Sequence, residues 1–495
     1  MLTYNMEARG RLSLYEYLYR RLRDDILSGA LAAGERLPSK RALAEHLQIS
    51  VITVEGAYRQ LEAEGYVDTR PRLGFFVSPV DRAPAAPAIK TSIPAQPEAP
   101  AWKLDLKSGQ IDPSCFPSAL WARLTRQVLS EGGHLAPVPP QGLSILRQAI
   151  AKDLRDFKGM AVSPEQIVVG AGAEYLYLLL VQLLGRETVF ALEDPGYPKI
   201  RQVYGKWGAL CRPIPLDGQG MALEPLYESR ATAVHLSPAH HYPTGIVTPI
   251  ARRQALLRWA EKTDGIIIED DYDSEFRFTG RPIPTLQSID TCERVIYMNT
   301  FSQTISPSMR VGFMVLPPHL LERWRKELGF YASTVPALDQ HVLARFLGGG
   351  GSPAGSWYEQ HLSRMRKKYR LRRAAILDAF SACPFTAAVT DRGAGLHFLL
   401  RLNTEENDEA LRQKAEGLGV RLGFLSEYAV IPKAAYNHIL VVNYAGLNVE
   451  RLSEAVELLS EVFMTSLQPK RPAGPPRPGG SGPAPFDPGQ SSLPE

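Results

Sequence analysis

Residues Val295–Pro317 read VIYMNTFSQTISPSMRVGFMVLP. The stretch begins as a short apolar run with β-branched residues, the pattern of a buried strand, and returns to a second such strand at Val311–Leu316. Between them lie Asn299, Thr300, Ser302, Thr304, Ser306 and Ser308, closed by Arg310. Small hydroxyl side chains followed by an arginine suit a phosphate group. The short donors lie close to the anion, and the planar guanidinium fork clamps it.

Working outward, strands alternate with helices from Asp105 to Leu467, which predicts an α/β domain with a mainly parallel sheet. Gln166–Gly170 (QIVVG) reads as a strand, and Ala171-Gly172-Ala173 opens a long apolar helix through Leu184. Such a turn presents backbone N–H groups to an anion at a helix N-terminus. Val189–Leu192 then leads to Glu193-Asp194-Pro195-Gly196-Tyr197-Pro198, Ala233–Leu236 to SPAHHYPTG, and Ile266–Ile268 to EDDYDSEF. Each motif follows a predicted strand, and in doubly wound sheets ligands sit at those carboxyl ends. His240-His241 has the look of a zinc pair, but no third ligand has suitable spacing, so no metal site is expected.

The first eighty residues follow another plan. Leu14, Leu18, Leu22 and Ile26 form a helical stripe ended by Gly29, and Ser39 is placed to cap Lys40–Leu47. Ser50 caps a further helix with Val54, Ala57, Tyr58 and Leu61 on its apolar side, Gly65 ends it, and Val67–Val77 reads as a hairpin. Helix, helix–turn–helix and β-wing make a winged helix, whose second motif helix enters the major groove while the wing and first cap hold phosphates. The expected phosphate contacts are Lys40, Arg41, Arg59, Arg70 and Arg72, with Thr53 and Tyr58 near the DNA. Glu55, Glu62 and Glu64 leave that helix net acidic, which weakens binding and its salt dependence. Residues 79–101 are rich in Pro and Ala without apolar period and read as an extended linker. Residues 469–495, rich in Pro, Gly and Ser, read as a disordered tail.

Composition adds bounds. At 495 residues two or more domains are expected. No apolar run is long enough to span a bilayer and Met1–Gly10 lacks the apolar segment of a signal peptide, so the expected address is cytoplasmic, without a membrane partner. Cys115, Cys211, Cys292 and Cys383 have no metal or redox spacing. A formal net charge of +4 over this length says little about nucleic acid; the motif carries that argument.

LPSKRALAEHL, SVITVEGAYRQLEAEGY and RLGFFV resemble the GntR-type DNA-binding domain over residues 12–78. The five strand-end motifs resemble a fold-type I pyridoxal-phosphate (PLP) aminotransferase-like domain over residues 102–468, as in MocR/GabR-type transcription regulators, whose active-site segment runs close to TFSKTLSPSLRLGYLVLP. The resemblance implies that Asp270 pairs with the pyridinium nitrogen, Tyr272 bonds the ring's O3′, Tyr197 stacks on the ring, and Ala173, Thr300, Ser302 and Arg310 form the phosphate cup. Arg310, set between apolar strands, is expected to be buried and to need an anion. Gln303 stands where the family carries its Schiff-base lysine, and an amide is neither nucleophilic nor basic. The arginine for a substrate α-carboxylate is replaced near Val441, the tyrosine lent to a partner's phosphate is missing from Ala136–Gln141 before Gly142, and Tyr242 replaces the asparagine of NPTG. Lys199 is read as a solvent-facing lysine. The expectation is a homodimeric regulator that binds a double-stranded DNA operator and senses PLP, an amino acid or amine, or their adduct, with PLP held non-covalently. A working aminotransferase and a dimeriser with a dead ligand site are the alternatives.

Overall fold

Three serines set the helices of the N-terminal unit. Ser13 accepts the N–H of Glu16 ahead of α1 (Leu14–Ser28), Ser39 that of Ala42 ahead of α2 (Lys40–Leu47), and Ser50 that of Thr53 ahead of α3 (Val51–Ala63). Each satisfies a donor the helix leaves unpaired, an effect of about 1 kcal/mol. Leu18, Leu22, Leu43, Val54 and Leu61 then meet in one core. β1 (Val67–Arg70) and β2 (Gly74–Val77) form the antiparallel wing, with Val67 opposite Val77. Its tip needs left-handed backbone at Arg72 (φ 62°) and Gly74 (φ 108°).

The computed structural model describes residues 2–80, 101–280, 283–349 and 355–463. The chain divides into compact units at Met1–Ala99 and Pro100–Glu495. Most of the expected linker, and all of the expected tail, lie outside the described residues.

In the larger unit, β3 (Leu104–Asp105) precedes an eight-stranded sheet. Its strands are β4 (Ile167–Gly170), β5 (Val189–Asp194), β6 (Leu210–Asp217), β7 (Gly220–Met221), β8 (Ala233–Leu236), β9 (Ile266–Asp270), β10 (Val295–Thr300) and β11 (Gly312–Val315). The order is β4-β11-β10-β9-β8-β5-β6-β7. β10, β9, β8, β5 and β6 run parallel, whereas β11 is antiparallel to both β10 and β4. Alternation along the strands separates two cores. Val169, Tyr297 and Phe313 face α4 (Ser118–Glu131) and α5 (Ser144–Lys158), while Val168, Met298 and Met314 face α6 (Ala173–Leu184).

The second lobe is an antiparallel sheet of β12 (Thr386–Thr390), β13 (His397–Leu402) and β15 (Ile439–Asn443), packed on the helix Trp357–Ser381. β14 (Val420–Arg421) pairs parallel with β3, fastening the start of the unit to this lobe. Asp194, at the end of β5, accepts the N–H groups of Val430 and Ile431 at 2.6 and 3.0 Å, tying the lobe to the main sheet. Among the described residues no helix is long and apolar enough to cross a membrane.

Candidate ligand cleft and DNA-binding head

The carboxyl ends of the parallel strands and the second lobe enclose a cleft of about 470 Å³. Ala173, Tyr197, Asp270, Tyr272, Thr300, Ser302, Gln303 and Arg310, from four separate segments, all line it.

Asp270 is the last residue of β9 and 5% exposed. Tyr177 donates its hydroxyl to the Asp270 carboxylate at 2.5 Å, His235 Nε2 lies 3.3 Å from the same oxygen, and His235 Nδ1 meets the Tyr204 hydroxyl at 2.7 Å. Burial, together with the adjacent Asp270 charge, raises Tyr177 well above an ordinary phenol, so it stays a donor. Asp271 turns to the opposite side of the sheet, where Lys158 Nζ lies at 2.8 Å and the Tyr297 hydroxyl at 2.7 Å. Strand alternation therefore gives Asp270 alone of the pair to the cleft.

The anion cradle is tighter than its sequence suggests. Gly172 has φ 82°, and a Cβ there would lie 3.0 Å from the Arg310 guanidinium, so that residue has to be glycine. The expected burial of Arg310 is wrong. Its backbone is left-handed (φ 50°), which swings the side chain out of the strand into the cleft, leaving it 48% exposed. Glu174 already accepts from it at 3.1 Å, and the other Glu174 oxygen takes Lys199 Nζ at 2.5 Å. Lys199 faces solvent as expected, 53% exposed, and it also lines the cleft in its ion pair with Glu174. Its hydrogen bond to Glu174 raises its pKa. Gln303 Nε2 faces the Gly109 backbone, 3.5 Å from where a Cβ would stand.

Several participants escaped the sequence reading. Glu174 and Tyr177 follow Ala173 on α6, and Tyr177, four residues on, shares its face. His235 is a polar residue inside an apolar strand, which was a usable signal. In β15 Val441 is fully buried, and Asn443, two residues along, lines the cleft while its amide donates to the Leu106 and Lys107 carbonyls at 3.2 Å. The neighbouring histidines part company. His241 lies 3.4 Å from Glu193, whereas His240 Nδ1 lies 3.0 Å from Asp273.

In the head, Lys40 and Arg59 both reach Glu55 at 3.0 Å, so one carboxylate holds two of the expected phosphate contacts. Arg70 lies over the Phe76 ring at 4.4 Å; Arg41 is exposed on α2 and Arg72 at the wing tip. Tyr58 is not available to DNA. It is 0% exposed, edge-on to Phe75 at 4.9 Å, and donates to the Pro38 carbonyl at 3.0 Å. Thr53 bonds the Ser50 hydroxyl at 2.8 Å. The exposed residues at the start of α3 are apolar: Val51 at 41% and Ile52 at 80%.

Comparison with known families agrees with both halves. Residues 14–77 match the family model "Bacterial regulatory proteins, gntR family", and residues 102–459 match "Aminotransferase class I and II". The chain is therefore a winged helix fused to a fold-type I aminotransferase domain. It belongs to the HTH-type transcriptional regulators built on that fusion. The uncharacterized HTH-type transcriptional regulator YdeL of Bacillus subtilis is 36% identical over 91% of this chain and 97% of its own length. The probable rhizopine catabolism regulatory protein MocR of Rhizobium meliloti is 31% identical over 91% of this chain and 94% of its own. Among solved structures, Pyrococcus horikoshii kynurenine aminotransferase superposes with a TM-score of 0.65 at 23% identity, covering 74% of this chain and 92% of that one, a likeness of fold.

Proposed function

We propose that the protein is a DNA-binding transcription regulator whose aminotransferase-like body dimerises and receives a phosphate-bearing pyridoxyl ligand without a covalent bond to the chain. That ligand is PLP itself or its adduct with an amino acid or amine. In this reading Gln303 occupies the position that relatives give to the Schiff-base lysine. The observation that carries the proposal is the convergence of the eight residues on one cleft whose lysines, Lys107 and Lys199, are both held in ion pairs by Glu427 and Glu174.

The cleft suits such a group. Gly172 lets backbone approach the Arg310 guanidinium closely, and the start of α6 with Thr300 and Ser302 adds donors for a phosphate. Asp270, supported by Tyr177 and His235, stands ready to hold a ring nitrogen protonated. Tyr272, which burial keeps protonated, has a hydroxyl to donate. When bound, PLP supplies an electron-poor ring and an aldehyde. Catalysis of amino-group transfer also needs a neutral lysine amine, and both lysines of the cleft are engaged by carboxylates.

The test is a titration of the purified full-length protein with PLP, followed by visible absorption, then borohydride reduction and peptide mapping. A saturable free-aldehyde spectrum, no pyridoxyl group fixed to the chain, and a shift in operator binding on saturation are expected. A pyridoxyl group mapped to Lys199 or Lys107 would overturn the non-covalent reading, and no binding of PLP or its amine adducts would leave the body a dimeriser alone.

A further inference from the structure

We infer that His240, Asp273 and His397 form a binding site for a divalent transition-metal ion of the zinc type, joining the main sheet to the second lobe. Their ligand atoms all lie within 4.8 Å of one another, and all three residues are buried. They come from three places: His240 from the loop after β8, Asp273 from the loop after β9, and His397 from the first position of β13. No spacing rule on a single element would gather them, so the sequence search beside His241 missed the set.

Three features point to an ion rather than ordinary packing. First, His397 Nε2 meets the Pro243 carbonyl at 3.1 Å. That bond places the proton on Nε2 and leaves the lone pair on Nδ1, the arrangement that liganding histidines adopt when their other nitrogen is held by a backbone carbonyl. His397 is 3% exposed. Second, the Asp273 carboxylate is 1% exposed, and His240 Nδ1, at 3.0 and 3.3 Å from its two oxygens, is its one hydrogen-bonding partner among the described residues. A buried carboxylate with a single imidazole beside it is poorly compensated, and a cation corrects that. Third, tetrahedral donors bound at about 2.1 Å stand about 3.4 Å apart, and His240 Nδ1 already lies 3.0 and 3.3 Å from the two Asp273 oxygens, so small shifts bring the pair to ligand spacing.

The approach of the third ligand has its own device. Gly395, two residues before His397, has φ 66°, and a Cβ there would fall 1.8 Å from His240 and 2.6 Å from Asp273 Oδ2. Glycine lets the start of β13 close onto the pair, bringing the His240 and His397 ring centroids to 4.5 Å. Bringing His397 Nδ1 into coordination takes a further movement on the order of 1 Å. Two imidazoles and one carboxylate suit zinc, cobalt or ferrous iron and leave coordination positions open to water. Asp273 and His397 also line the ligand cleft, which gives the ion a route in.

The experiment uses full-length protein stripped with a chelator and titrated with Co²⁺, followed by d–d absorption, and with Zn²⁺, followed by calorimetry. One ion per chain is expected, with affinity falling at least 100-fold in Asp273→Asn and in His397→Gln and unchanged in Cys292→Ser. X-ray absorption on the wild-type Co²⁺ complex, which needs no variant to fold, is expected to show two imidazoles and a carboxylate oxygen and no sulfur. No stoichiometric binding, equal affinity in well-folded variants, or a sulfur ligand would overturn the site.

Discussion

In the proposed phosphate cradle Glu174 stands beside the anion's place, and replacing it with glutamine tests whether the cradle restrains itself. Its carboxylate accepts from Arg310 at 3.1 Å and from Lys199 at 2.5 Å, and the Lys199 hydrogen bond lowers its pKa, so it is ionised at neutral pH. A phosphate on the same guanidinium would sit about 5 Å from that charge, and both side chains are half exposed, so an effective dielectric of about 40 is appropriate. The repulsion is then about 1.7 kcal/mol per unit of phosphate charge, roughly 3 kcal/mol for a dianion, and screening at 0.15 M salt reduces it to about 1.5–2 kcal/mol. Glu174→Gln should therefore bind PLP about ten- to thirty-fold more tightly, measured by absorbance titration. Inorganic phosphate should compete better by a similar factor, pyridoxal without its phosphate should be unaffected, and Glu174→Asp should behave like wild type. If the glutamine variant binds PLP equally or more weakly, Glu174 serves to position Arg310, and the competition argument is wrong.

Two further outcomes follow from charge and exposure elsewhere. Glu55→Gln releases Lys40 and Arg59, and should tighten operator binding and steepen log K against log salt by about one to two phosphate contacts in a mobility-shift series; an unchanged slope would mean neither residue reaches the backbone. Burial raises the Asp153 carboxyl to about 7, so its folded form keeps a proton that the unfolded chain gives up near 3.8, and the stability this confers is lost as pH rises through that window. Asp153→Asn should accordingly raise the melting temperature more at pH 8 than at pH 5, and a gain independent of pH would sink the assignment.

The framework was legible because it rests on local chemistry. Ser39 and Ser50 announce their helices, the β-branched runs announce the parallel strands, and motifs at strand ends converge whatever the loops between them do. The misread residues share another origin. Tyr58 sits on an amphipathic helix whose inward stripe also includes Val54, Ala57 and Leu61, so the stripe that predicted the helix was itself the sign that Tyr58 faces the core. Arg310 was expected between strands because its neighbours are apolar, but a single left-handed residue reverses the direction of a side chain, and no composition rule sees that.

What sequence spacing cannot provide is the partner that arrives from another lobe. Asp194 is held by Val430 and Ile431, Asn443 by Leu106 and Lys107, and His240 faces His397 across more than a hundred and fifty residues of chain. On the proposed function, these are the contacts through which a ligand in the cleft is felt outside it. A ligand that binds better when the lobes approach shifts the population towards the closed body, by as much as its affinity differs between the two arrangements. Gln303, in the lysine position proposed for it, sharpens that logic. A covalent bond to lysine would hold the ligand whether or not the lobes were closed, whereas an amide leaves retention to contacts from several segments at once. In the proposed reading occupancy then depends on closure and closure on occupancy, which is the coupling a ligand-responsive regulator requires.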